Sequence, residues 1–201
     1  MRLFPLLRIC LIPVIAAGGW IATAHATSVV APSFPELVGE AQLIVRGQVK
    51  SVRAAWVDTP QGRVIKTFVT FAVEKRLKGD AAPELVLQFL GGEIAGEGMR
   101  VEGMPQFVAG QREILFVSDN GVKFCPLVAM MHGRYRILTD PQSRHDYVAR
   151  NDGMPVQTVQ DVQLPQGGRV SAARSATLAT ALTPDAFEQK ISAEISRRAA
   201  R

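Results

Sequence analysis

The chain has 201 residues, 47% hydrophobic and 20% charged, with two cysteines and a net charge of +5. That length suffices for one domain with its own apolar core and a tail, and two cysteines exclude a small disulfide-stapled scaffold. The positive charge is poor evidence for nucleic-acid binding. Arg197, Arg198 and Arg201 crowd the last five residues, and losing Arg2 and Arg8 with a leader lowers the net charge to +3, close to balance.

The first 26 residues have the layout of a cleavable secretory signal. Arg2 and Arg8 flank the start, an uncharged stretch runs from Ile9 to Thr23, and Ala24-His25-Ala26 offers a small-x-small cleavage site before Thr27. About 15 apolar residues at about 1.5 Å each reach only about 22 Å, short of a hydrocarbon core of about 30 Å. The expectation is therefore cleavage, a periplasmic or secreted mature chain, and no stable membrane insertion. Cys10 lacks the small residues of a lipoprotein processing site, and no twin arginine precedes the apolar run. Cleavage leaves Cys125 as the sole cysteine.

Strand signals then dominate. Leu43 to Val52 alternates, with Leu43, Val45, Gly47 and Val49 on one face and Arg46, Gln48 and Lys50 on the other. Asp58-Thr59-Pro60-Gln61-Gly62 predicts a turn. Val64 to Leu77 alternates again, with Ile65, Val69, Phe71, Val73 and Leu77 inward, and its length predicts a bend or a bridge between sheets. After a turn at Lys78-Gly79-Asp80, Glu84 to Leu90 predicts a third strand. Gly91-Gly92 opens a glycine-rich loop that runs to Gly103. Arg112 to Ser118 is the most apolar strand, and Asp119-Asn120-Gly121 carries a hairpin signal. Val122 to Met131, Arg134 to Leu138 and Asp146 to Ala149 are further strand candidates.

Closely spaced strands joined by glycine and proline turns, with no helical pattern between them, predict an all-β antiparallel barrel of five or six strands over residues 27–150. Residues 151–182, rich in Gln, Gly, Ser, Thr and Ala, predict an irregular linker. Thr183-Pro184-Asp185 is a good helix start, so a C-terminal helix is expected over 183–201. Its apolar stripe Phe187, Ile191, Ile195 points to packing on the barrel rather than to a partner.

Three phrases carry a resemblance: Ala41-Gln42-Leu43-Ile44-Val45-Arg46-Gly47-Gln48-Val49, Thr67 through Gly79 with its Leu77-Lys78-Gly79 end, and Ala109-Gly110-Gln111-Arg112-Glu113-Ile114-Leu115-Phe116-Val117. In this order they resemble the netrin-like modules and the N-terminal domain of tissue inhibitors of metalloproteinases. With Gly103-Met104-Pro105-Gln106-Phe107 they are also similar to uncharacterised exported bacterial proteins. The resemblance implies an OB-like barrel and an exported protein, such as a protease, as partner. It does not carry over inhibition by zinc chelation. The inhibitors begin with a cysteine, whereas the mature start here would be Thr27-Ser28-Val29.

No catalytic, metal or cofactor constellation is evident. The mature chain would hold two histidines, His132 and His145, and neither is spaced with a second His or a Cys as zinc ligands are. Cys125 lies in Phe124-Cys125-Pro126-Leu127, an apolar setting that raises a thiol pKa, although a hairpin could bring it to His132. Glu93 and Glu97 in the glycine-rich loop oppose phosphate binding. Arg46, Lys50, Lys66 and Phe68 on outward strand positions raise nucleic-acid binding, which export and sparse aromatics oppose.

The expected function is a non-enzymatic exported binding or interaction module. Its ligand would meet either the barrel end roofed by Gly91 to Gly103 or the outer face near Trp56, which stands just before a turn. Candidate contact residues are Trp56, Gly91, Gly92, Met104 and Phe107. For Trp56, capping the core is the competing reading. A secreted enzyme using Cys125 and His132, and a structural envelope protein, are the alternatives.

Overall fold

A computed structural model describes residues 30–166 and 178–200. The predicted leader, residues 167–177 of the predicted linker and the last residue lie outside the described residues.

The fold opens with a helix that the strand signals overshadow. In α1 (Phe34–Glu40), Ser33 and Glu36 form a reciprocal capping box. Ser33 N donates to Glu36 Oε2 at 2.8 Å, while Glu36 N donates to Ser33 Oγ at 3.4 Å. At the other end, Lys78 Nζ donates to the carbonyls of Val38 and Gly39 at 2.8 and 3.1 Å. Those helix-end carbonyls have no partner within the helix. Phe34, Leu37 and Val38 face the core.

Eight antiparallel strands follow: β1 (Leu43–Thr59), β2 (Gly62–Lys78), β3 (Glu84–Leu90), β4 (Gly92–Ile94), β5 (Glu97–Met99), β6 (Arg112–Val117), β7 (Arg134–Thr139) and β8 (Asp146–Arg150). Six of them form one sheet in the order β3-β2-β1-β6-β7-β8, and β4 pairs only with β5. The long first hairpin bends as its length predicts, through register shifts at Ile44/Val45, Arg46/Gly47 and Val49/Ser51.

No ladder joins β3 to β8 among the described residues, so the sheet is open rather than a closed barrel. The segment Val122 to Met131 is not a strand. β6 is already flanked by β1 along Arg112–Val117 and by β7 along Arg112–Leu115, which leaves only its end at Phe116 and Val117 to meet residues 126–128, in a single bridge from Val117 to Leu127. Ala129 and Met130 adopt positive φ of 46° and 56°, which no ladder accepts. The chain from Asp119 to Val128 instead spans from the edge of β3 to the end of β6. Leu90 N donates to Phe124 O at 2.8 Å, and Ser118 N donates to Pro126 O at 3.0 Å.

Two apolar clusters lie on opposite faces of the sheet. One contains Ile44, Ile114, Phe116, Tyr135 and Val148 under α1 and the C-terminal helix α2 (Pro184–Ala199). The other contains Val45, Val49, Val69, Phe71, Leu87, Phe89, Leu115, Cys125 and Leu127. Val156 and Val162, within the stretch predicted as linker, are fully buried in the first cluster.

Thr183 caps α2, its Oγ1 accepting from Ala186 N at 3.2 Å with Pro184 in the first turn. Phe187 meets Tyr135, Phe34 and Phe116 at ring separations of 5.0, 6.0 and 6.4 Å. Ile191 is buried and Ile195 half-buried on the same stripe, so the helix packs on the sheet. Glu188, also buried, accepts from Arg46 Nη1 at 2.9 Å and Lys75 Nζ at 2.6 Å, which ties the helix to β1 and β2. Among the described residues no helix is long and apolar enough to cross a membrane.

Because Phe187 joins α1, α2 and the sheet in one aromatic contact set, Phe187→Ala is expected to cost about 3–5 kcal/mol. Urea unfolding followed by Trp fluorescence checks this, with Ile195→Ala expected to shift the midpoint far less.

Candidate functional site

The second cluster is open at one end, and a cleft of about 750 Å³ lies over that opening. Its roof starts at Gly91 and Gly92, whose φ values of +97° and +141° suit only glycine. They also allow a close approach. A Cβ on Gly91 would come within 2.6 Å of Met99 O, and one on Gly92 within 2.6 Å of Thr67 Oγ1. Gly91 N donates to Ile65 O at 2.8 Å and Thr67 Oγ1 donates to Gly91 O at 2.7 Å, which docks β4 onto the first hairpin. Ala95 and Gly96, both with positive φ, form the two-residue turn to β5.

The floor comes from the chain that follows β5. Phe107 stands edge-on to Phe71 at 5.5 Å and tilted against Phe89 at 5.1 Å, so it plugs the open end of the cluster. Its ring also lies 4.4 Å from the Arg134 guanidinium. That guanidinium is 4% exposed and forms a two-pronged bond with the fully buried Glu113, Nη2 to Oε1 at 2.7 Å and Nε to Oε2 at 3.1 Å. Nη1 donates to Asn151 Oδ1 at 3.0 Å and Nη2 also to Gln111 Oε1 at 3.3 Å. Burial pushes the Glu113 carboxyl above its ordinary value, with Arg134 pulling the other way.

The structure therefore brings together four of the five residues singled out from the sequence. Gly91, Gly92, Met104 and Phe107 all line the cleft. Trp56 does not. It lies opposite Ile65 on β1, half-buried, with Arg63 stacked 4.8 Å over its ring. Phe89, Met99, Val101 and Met131 complete the apolar wall. Nothing local marks these four in sequence: strand alternation places Phe89 in the core, and no pattern around Met99 or Met131 signals a shared cavity. Three thioethers, from Met99, Met104 and Met131, give a wall that adapts to irregular apolar shapes.

Among the described residues the ionisable lining is Glu93, Arg100 and Glu102, all exposed. The lining thus mixes apolar side chains with polar side chains and main chain, and offers both apolar contact and hydrogen bonds to an extended ligand. Among the described residues no group of three His, Cys, Asp or Glu side chains is placed to hold a metal ion.

Cys125 and His132 are not joined. Cys125 is buried in the second cluster, where desolvation pushes its thiol up to about 11. His132 is buried in the turn before β7, its Nδ1 3.3 Å from Gln166 Nε2. Of the outward residues singled out for nucleic acid, the cations Arg46 and Lys50 are held in ion pairs and Phe68 is covered by the neighbouring Arg53. Arg46 pairs with Glu74 and Glu188, and Lys50 pairs with Glu84.

Burial, then the nearby Arg150 charge, holds the His132 imidazole below its ordinary value. As pH falls through the unfolded value of about 6.5, the unfolded chain takes up a proton that the folded chain refuses, so stability drops. The urea midpoint of the native chain is expected to fall more between pH 8 and pH 5.5 than that of His132→Gln.

No family model, no curated protein and no solved structure matches the chain.

Proposed function

We propose that the chain is an exported binding module without catalytic chemistry of its own, built on an OB-like core. Its cleft takes an extended stretch of another exported protein that carries both apolar and hydrogen-bonding groups. The carrying observation is the cleft itself: an opening into the core, plugged by Phe107, walled by three methionines and rimmed by Glu93, Arg100 and Glu102. Methionine-rich apolar walls suit partners of variable shape.

The OB-like core is supported by the long, bent first hairpin and by residues 119–128, which run from the edge of β3 to the end of β6 beside the second cluster. The leader-like first 26 residues support export. A buried thiol raised to about 11, with no hydrogen bond to His132, speaks against an enzyme built on Cys125. The apolar stripe of α2 is spent on the core, which speaks against a helix-mediated envelope assembly.

The test compares capture of exported proteins by the mature chain and two variants. A Cβ at Gly98 meets no heavy atom within 4 Å, and Gly98 lines the cleft, so Gly98→Trp adds bulk at the lining without a clash at its Cβ. Capture is expected to weaken about tenfold or more, about 1.4 kcal/mol, in Gly98→Trp and to persist in Trp56→Ala. Equal capture by Gly98→Trp rejects the cleft, and loss in Trp56→Ala moves the site to the outer face. Cys125 in the native chain is expected to resist thiol reagents until urea unfolds it, whereas prompt labelling favours the enzyme reading.

A further inference from the structure

An exposed strand edge is a row of unpaired backbone donors and acceptors, and proteins usually cover it. Two edges of this sheet are covered by the chain itself. On β3, Gln88 N donates to Asn120 Oδ1 at 3.1 Å, and Asn120 Nδ2 donates to Val86 O at 2.8 Å. On β8, Val148 N donates to Leu182 O and Arg150 N to Met154 O, both at 2.8 Å.

Among the described residues a third edge is left open. β6 accompanies β1 only as far as Gln48, and the loop before it adds Val49 N to Gln111 O and Gly110 N to Val49 O, both 2.8 Å. Beyond this point β1 continues to Thr59 with β2 alone. The turn at Pro60-Gln61 makes Thr59/Gly62, Val57/Val64, Ala55/Lys66 and Arg53/Phe68 the pairs that exchange ladder bonds. The N–H and C=O groups of Val52, Ala54, Trp56 and Asp58 therefore point away from β2. Among the described residues nothing bonds to them.

We propose that this edge pairs with the same edge of a second copy of the chain, antiparallel, about a two-fold axis through Ala55. Three features select that occupant and that register. Outward groups sit on even-numbered residues, so bonded pairs must join even to even across the axis. With the axis at Ala55, Ala54 lies opposite the partner copy's Trp56, a small residue against a large one, and Val52 lies opposite its Asp58. No like charges meet, since Arg53 faces Val57. The neighbouring registers fail. Shifting the axis to Trp56 brings Pro60, which has no N–H, into the ladder and stacks the two indoles on each other. Shifting it to Ala54 runs the ladder into the irregularity at Val49/Ser51. The open slot from Ser51 to Thr59, closed at one end by Gly110, is as long as the segment that would fill it. Val108, 59% exposed beside Gly110, stands at the end where the partner copy's Pro60 turn arrives.

The test uses the mature chain. On the axis, Ala55 faces its own copy in a non-bonded pair with Cα atoms about 4.5 Å apart, inside the range a disulfide spans. Because Cys125 is buried, Ala55→Cys adds the one reactive thiol. Under mild oxidation Ala55→Cys is expected to form a covalent dimer at least tenfold faster than Ala54→Cys or Val57→Cys. Ala54→Pro removes an outward N–H and leaves the β1–β2 ladder intact, so it is expected to turn a dimer into a monomer by sedimentation equilibrium with an unchanged far-ultraviolet spectrum. If Ala54→Pro unfolds the chain, the cross-linking rates still decide. Equal rates at all three positions, a native chain that stays monomeric across the concentration series, or a monomer that binds an extended foreign peptide along this edge would each overturn the proposal. Neither experiment depends on the cleft.

Discussion

The central strands of this sheet are buried on both faces, and most of the architecture follows from that. Ile44 and Val45, Ile114 and Leu115, and Phe116 and Val117 are consecutive pairs whose members enter opposite clusters, and all six are at most 3% exposed. A strand apolar on both sides needs a cover on each. One face is covered by α1 and α2, with Phe187 as the joint. The other is covered by the bend of the sheet onto itself, by the 119–128 bridge and by Phe107. The second cover is incomplete, and the cleft lies where it ends.

Buried charge sits at the margins of these clusters. Glu113 lies on the same side of β6 as Leu115, so its carboxylate is driven into the interior by strand alternation and needs a partner there. Arg134, opposite Leu115 on β7, supplies a fork and spends its remaining donors on Asn151 and Gln111. The reward for that arrangement is position. A guanidinium held on all sides presents a fixed flat face to Phe107, so the cleft floor is set by β6 and β7 although it is built from a loop. Glu188 has the matching role on the other face, where Arg46 and Lys75 hold α2 against the sheet.

The open edge of β1 belongs to the same logic. A hairpin longer than its neighbours leaves main-chain groups unpaired, and among the described residues Asn120, Phe124, Met154 and Leu182 cover the other edges while none covers this one. Val52 contributes both to that edge and to the cleft wall, so two copies paired there would place their clefts on one continuous face.

Much of this was legible in the residues alone. Alternation located β1, β2, β3, β6, β7 and β8 to within a few residues, except that β1 runs on to Thr59, and Thr183-Pro184 marked the start of α2. These features are local: a strand shows its two-residue period and a helix its cap wherever they occur. The glycine pair and the Met104–Phe107 stretch were also legible, because paired glycines mark a loop in sequence and Gly103-Met104-Pro105-Gln106-Phe107 belongs to the phrases that carry the resemblance. The short helix α1 was missed although Ser33 and Glu36 announce it, since seven residues hold too little periodicity to stand out. What only the tertiary structure decided were the non-local matters. It settled that residues 122–131 form no strand, because β1 and β7 take both flanks of β6 except at its end and because Ala129 and Met130 turn the chain with positive φ. It gathered Phe89, Met99 and Met131 around one cavity and left Trp56 outside it. Such outcomes depend on which strands reach an edge first and which side chains share a space, and neither is a property of any stretch of chain by itself.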